Sequence, residues 1–113
     1  MKITAEYLRK MGACEDQVEV FEAEWPDGAK PLLKNLMRCA ELGLDLEWFA
    51  IECLTVPAWE EYKKVIAPAW EEYKKAIVLE GRKKTIARAQ EEYEKAIAGA
   101  LYTVLKRGKK VLR

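Results

Sequence analysis

The phrase PAWEEYKK occurs twice, from Pro57 and from Pro68, and the eleven-residue unit that holds it returns a third time as ARAQEEYEKAI from Ala87. Nothing else in the chain constrains the fold as much. Trp59, Tyr62 and Ile66, then Trp70, Tyr73 and Ile77, advance in steps of three and four and so trace one face of an α-helix. Eleven residues make three turns of about 3.67 residues each, which keeps the stripe nearly straight with a slight right-handed drift. The charges write the opposite face. Glu60 with Lys64, Glu71 with Lys75 and Glu91 with Lys95 are glutamate-first i,i+4 pairs, each worth roughly 0.2–0.5 kcal/mol.

Between the second and third copies lies VLEGRKKTI, which fits the phrase only if two residues are missing. At about 100° per residue, Ile86, Tyr93, Ile97 and Val104 then fall about 160–200° around the helix from Trp59. One straight rod from 57 to 107 would carry its two apolar seams on opposite faces and reach about 75 Å at 1.5 Å per residue, several times the radius of a compact chain of this size. The economical solution is a reversal at Glu80-Gly81-Arg82 that pairs antiparallel helices of 57–79 and 83–107, with Gly99 permitting their close approach. The competitor is an extended rod that dimerises, so both monomer and homodimer stay open. Pro57 suits a first turn. Pro68 lies inside the helix but on its solvent side, which predicts a kink there, with a full break as the alternative.

The first half reads as short helices with marked ends. Thr4 can cap a helix through Lys10, closed by Gly12. CEDQVEVFEAEW follows, with carboxylates in its first turn and Val18, Phe21 and Trp25 on one face, and stops at the turn Trp25-Pro26-Asp27-Gly28. Pro31 fits the first position of a third helix whose stripe is Leu32, Leu33, Leu36, Met37 and Ala40, closed by Gly43. Asp45 caps a fourth, LEWFAIECL, expected to be the most buried segment. No useful stretch alternates with period two. The fold class expected is all-α: a small helical bundle, one domain over 1–113, in which a short-helix module (1–55) packs on the repeat-derived hairpin (56–113).

At 113 residues, with half hydrophobic and 35% charged, the chain has the composition of a folded domain rather than of a disordered tail. No window nears the roughly 20 apolar residues of a membrane span, and MKITAEYLRKMG has no apolar signal region, so the expected compartment is a cytosol with no membrane partner. Cys14, Cys39 and Cys53 have no CxxC spacing and no histidine to complete a zinc site; they are expected to be reduced core thiols.

The absence of histidine also removes Ser-His-Asp and Cys-His nucleophiles, and no phosphate-binding glycine loop or EF-hand is present. No catalytic residue, metal or cofactor is expected, and an enzyme is not. Two charged features could instead meet a partner. Residues 1–55 hold six Lys/Arg against eleven Asp/Glu, and residues 56–113 hold fourteen against eight. The acidic row Glu15, Asp16, Glu19, Glu22 and Glu24 could imitate phosphates. The basic tail KRGKKVLR, with Lys106, Arg107, Lys109 and Lys110, could meet nucleic acid or an acidic protein, or be a frayed helix end complementing the dipole.

LRKMGACEDQVEVFEAEWPDG resembles the opening of small proteins encoded by tailed phages and prophages, and PAWEEYKK resembles the repeats that follow it in many of them. Together they cover most of the chain, the segment from Gly12 to Phe21 being the more specific. The resemblance implies a phage origin and a bacterial cytoplasm, and brings no activity or functional residues with it. The leading expectation is therefore a non-catalytic module that binds a host or phage protein, for instance an inhibitor of a bacterial defence complex of the anti-CRISPR type. The alternatives are a nucleic-acid-associated protein using the basic C-terminal half, and a virion or assembly component oligomerising through the repeats.

Overall fold

The computed structural model describes the backbone of residues 1–80 and 83–113, and the side chains of all but 79–85. It is all-α: six helices, α1 (Ala5–Lys10), α2 (Glu15–Glu24), α3 (Leu33–Glu41), α4 (Leu46–Cys53), α5 (Val56–Glu80) and α6 (Lys83–Leu105), then a 3-10 turn, Lys109–Val111. The described residues contain no strand, only isolated bridges at Ile3/Ala29 and Leu54/Leu112.

Helix ends follow local chemistry. The Thr4 hydroxyl accepts from the Tyr7 N–H at 3.1 Å, and the Asp45 carboxylate accepts from the Trp48 N–H at 2.9 Å; each satisfies a donor that has no partner inside its helix. The chain leaves α1 and α3 through Gly12 and Gly43, both at positive φ. At Gly28 the reason for glycine is also steric, because a Cβ would meet the Ile3 carbonyl oxygen at 3.0 Å. That close approach forms the bridge in which Ile3 and Ala29 exchange two 2.8 Å backbone hydrogen bonds, tying the N-terminus across the α2–α3 turn.

The predicted hairpin is present. Glu61 pairs with Arg107, and the rings of Tyr73 and Tyr93 stack at 5.0 Å, a register in which α5 and α6 run antiparallel. The reversal predicted at 80–82 involves residues 81–82, which lie outside the described residues. α5 runs unbroken through Pro68, which is exposed. A proline inside a helix costs about 3 kcal/mol, so a break would be cheap unless both sides were held. Here they are, by buried Tyr62 and Ile66 before it and by the contact of Trp70 and Tyr73 with Tyr93 after it.

One contiguous core gathers around the last three turns of α6. Ala98, Leu101, Val104 and Leu105 are sealed from solvent, with Phe49, Ala50, Cys53 and Leu54 from the α4 region, Val18 and Phe21 from α2, Leu36 from α3, and Ala58, Tyr62 and Ile66 from α5. α6 packs against α3 as well as α5, so the hairpin's second helix holds the halves together.

Several expectations are corrected. α4 buries Phe49, Ala50 and Cys53, with Leu54 just after it, as a strongly buried helix should, but it is not covered on every side: Ile51 is 52% exposed and Trp48 half-buried. Pro31 precedes α3, which starts two residues later, and the N-cap Leu32 is extended, so Leu32 and Leu33 point outward while Leu36 and Cys39 go in. Gly99 is not a contact point, since a Cβ added there would meet nothing within 4 Å. Cys14 is exposed at the start of α2; only Cys39 and Cys53 are core thiols, and burial pushes them up to about 12 and about 11.

The basic tail is not a frayed helix end. α6 stops at Leu105, Gly108 turns the chain at φ 100°, ψ −172°, and Val111 is buried. The segment then lies along the end of α4: the Thr55 N–H donates to the Val111 carbonyl at 2.9 Å, and the Arg113 N–H and Nε donate to the Cys53 and Leu54 carbonyls, each at 2.8 Å. The Tyr7 hydroxyl donates to the Arg113 carbonyl at 3.2 Å, which brings α1 to the same seam.

Candidate functional site

Two copies of the same phrase build the same cluster and then meet different surroundings. In each, tryptophan and tyrosine rings sit side by side, Trp59/Tyr62 at 5.5 Å and Trp70/Tyr73 at 5.8 Å. A lysine stands over each tryptophan, Lys63 at 5.6 Å and Lys74 at 5.7 Å, and a glutamate holds that lysine, Glu60 at 3.2 Å and Glu71 at 3.1 Å. These are i,i+3 pairs rather than the expected pairs with Lys64 and Lys75, because the ring attracts the nearer lysine as well as the carboxylate does. The third copy has no tryptophan and no lysine at the equivalent positions, Gln90 and Glu94; there the pair falls as expected, Glu91 to Lys95 at 3.6 Å.

The first copy is inside: Tyr62 is 3% exposed. The second is less covered. Trp70 is 41% exposed, Ile77 36% and Val78 80%, so the seam predicted through Trp70 and Ile77 is only partly covered. What covers Trp70 and Tyr73 is the third copy's Tyr93, whose centroid lies 5.5 Å from Trp70 and 5.0 Å from Tyr73.

Beside this aromatic trio opens a groove of about 540 Å³, bounded on its far side by the α3–α4 turn and the first turn of α4. Asp45, Glu47 and Glu94 are among the residues that line it, and none of the described lining residues is a lysine or arginine. Gln17 fixes the turn by accepting from the Asp45 N–H at 2.9 Å, and the Tyr93 hydroxyl donates to Glu47 at 3.1 Å, joining the two halves of the molecule. Burial, and then the hydrogen bond to the Glu47 carboxylate, push Tyr93 up to about 12. Among the described residues no group of three or more metal-ligating side chains converges.

The two charged features from the sequence do not come together. Arg9 engages Glu15 at 2.9 Å and Glu22 at 3.3 Å, and Arg38 engages Glu24 at 3.0 Å. Asp16 and Glu19 are exposed on the same helix. In the tail, Arg107 is held by Glu61, Lys106 lies 6.0 Å over the Tyr102 ring, and Lys109 and Lys110 are exposed on the 3-10 turn. Every ion pair among the described residues joins two residues of the same half, so the acidic and basic halves do not neutralise each other by contact.

Sequence reasoning placed Trp70, Tyr73 and Tyr93 in the core and did not single out Glu47 or Glu94. A signal for them existed in the third copy. Gln90 and Glu94 stand where the second copy has Trp70 and Lys74, and both line the groove.

The fold and groove define the class: a small all-α helical bundle with a partly uncovered aromatic hairpin. Comparison of the chain with family models, curated proteins and solved structures finds no match in any of the three.

Proposed function

We propose that this chain is a non-catalytic protein–protein interaction module that engages its partner through the hairpin beyond Pro68. The observation that supports this most is Trp70, 41% exposed, where its counterpart in the first copy, Trp59, is partly buried against the core. Exposed tryptophan and tyrosine are the residues that dominate binding energy at protein interfaces, where they gain more by desolvation than polar neighbours do. Ile77 lies on the same stripe as Trp70 and Val78 adjoins it, extending the apolar surface toward the end of α5. A standard interface covers about 800 Å² per partner, about a tenth of this molecule's 7378 Å².

The resemblance of the N-terminal segment and the repeat to small phage proteins supports a phage origin, action in a bacterial cytoplasm, and blocking of a host or phage protein, with a defence complex of the anti-CRISPR type as the concrete form. The nucleic-acid alternative now rests on Lys106, Lys109 and Lys110, Arg107 being engaged by Glu61. Among the described residues no helix is long and apolar enough to cross a membrane.

The test is capture from a bacterial lysate by the wild-type chain, by Trp70→Ala with Ile77→Ala, and by a control altered at exposed Val20 on α2. One specific protein retained by wild type and control but lost by the hairpin variant is the expected result. No specific capture, or equal capture by all three, would overturn the reading.

A further inference from the structure

Resting on that reading, we infer that the groove between the aromatic trio and α4 is a receptor for an arginine side chain of the partner protein. Three features converge on a cation. Asp45 and Glu47 at the start of α4 and Glu94 on α6 line the groove from two sides, and among the described residues no lysine or arginine lines it. The wall on the α3–α4 side belongs to the acidic N-terminal half, whose excess of acid the described ion pairs do not compensate from the other half. The rings supply the second kind of attraction, and the chain itself displays it: Lys63 and Lys74 each stand over a tryptophan of the repeat. Lys74, paired with Glu71 at 3.1 Å, does not line the groove.

Guanidinium fits this site better than ammonium. It is planar and weakly hydrated, stacks on an aromatic face, and presents a fork of donors to carboxylates on either side. About 540 Å³ accommodates such a head with its three-carbon stem. Glu94 is the carboxylate to test. It is exposed, and its side chain makes no hydrogen bond or ion pair among the described residues, so its removal leaves the fold intact. Asp45 and Glu47 already serve Trp48 and Tyr93.

The experiment titrates the full-length ¹⁵N-labelled chain, at low ionic strength, with a capped Gly-Arg-Gly peptide and with versions carrying lysine, glutamine or glutamate in place of arginine. The readout is the indole N–H resonance of Trp70, assigned by its loss in Trp70→Phe. The expected result is a saturable shift with the arginine peptide at up to about ten millimolar, the range in which a single side-chain contact registers. The shift is weaker with lysine and absent with glutamine or glutamate. In Glu94→Gln the arginine affinity falls about threefold to fivefold, the size of one exposed charge pair. No shift, equal response to the glutamine peptide, stronger binding of lysine, or an unchanged Glu94→Gln variant would overturn the assignment. If those results came with loss of partner capture in the Trp70/Ile77 variant, the arginine site would fall and the interaction surface would stand.

Discussion

Tyr62 and Tyr73 occupy the same letter of the same phrase, and their replacement by alanine separates what the fold does with each. Tyr62 is 3% exposed beneath the body and stacks on Trp59 at 5.5 Å. Truncating a buried aromatic to alanine costs about 3–5 kcal/mol, transfer and cavity contributions together. Tyr73 is half-buried, covered on one face by Tyr93 and open at its edge. Its loss forfeits the ring contacts, about 0.5–1.5 kcal/mol beyond area, and part of the area, but leaves a notch that water fills rather than a sealed cavity. A total of about 1–2 kcal/mol follows. The difference between the variants is therefore about 2 kcal/mol, which at a urea slope of roughly 1–3 kcal/mol per molar separates their midpoints by about 0.7–2 M. Urea unfolding followed by far-ultraviolet circular dichroism measures it. Equal losses at the two sites would mean that both copies are buried alike, as in a rod that dimerises along its whole seam, and would refute the placement of the hairpin.

Three further outcomes follow from local chemistry. Gly108→Ala forces a side chain into a backbone region that only glycine enters readily; with open space around it, the cost is backbone strain of about 1–3 kcal/mol, read as a lower urea midpoint with faster exchange of the Arg113 and Thr55 amides. Thr4→Ala removes the acceptor for the Tyr7 N–H and lowers stability by about 1 kcal/mol in the same assay. Burial raises Tyr62, and raises Tyr7 and Tyr93 to about 12 from an ordinary value near 10, while Cys39 and Cys53 rise to about 12 and about 11. Each group holds its proton more tightly folded than unfolded, so stability is fully present below about pH 8.5–9, where the unfolded thiols begin to ionise, and declines as pH rises toward 12. Urea midpoints from pH 8 to 12 should fall along that course, less steeply in Tyr93→Phe; a flat profile would contradict the burial of these groups.

The hairpin was legible because two missing residues shift a periodic stripe by about half a turn, and only a reversal lets one molecule shelter both halves. The caps at Thr4 and Asp45 and the turn at Gly28 were legible because their chemistry is local. The docked tail was not. It is held by main-chain hydrogen bonds of Thr55 with Val111 and of Arg113 with Cys53, which leave no side-chain signature, and by the Arg113 Nε on the Leu54 carbonyl, a partner that only the folded chain brings near. Nor could the phrase reveal that its copies differ. PAWEEYKK is the same at Pro57 and Pro68, and whether its tyrosine is sealed depends on what packs against each copy, a tertiary fact. The groove escaped notice for a related reason: Asp45 and Glu47 come from α4 and its cap, Trp70 and Tyr73 from α5, and Tyr93 and Glu94 from α6, and only the antiparallel register brings them together.

That register is tested most directly by nuclear Overhauser contacts between the rings of Tyr73 and Tyr93, measured in a uniformly labelled sample and in an equal mixture of labelled and unlabelled chains. Centroids 5.0 Å apart within one molecule predict strong cross-peaks between labelled rings and none between a labelled and an unlabelled chain. Cross-peaks that arise only between different chains would contradict the hairpin, and with it the groove and the surface built on it.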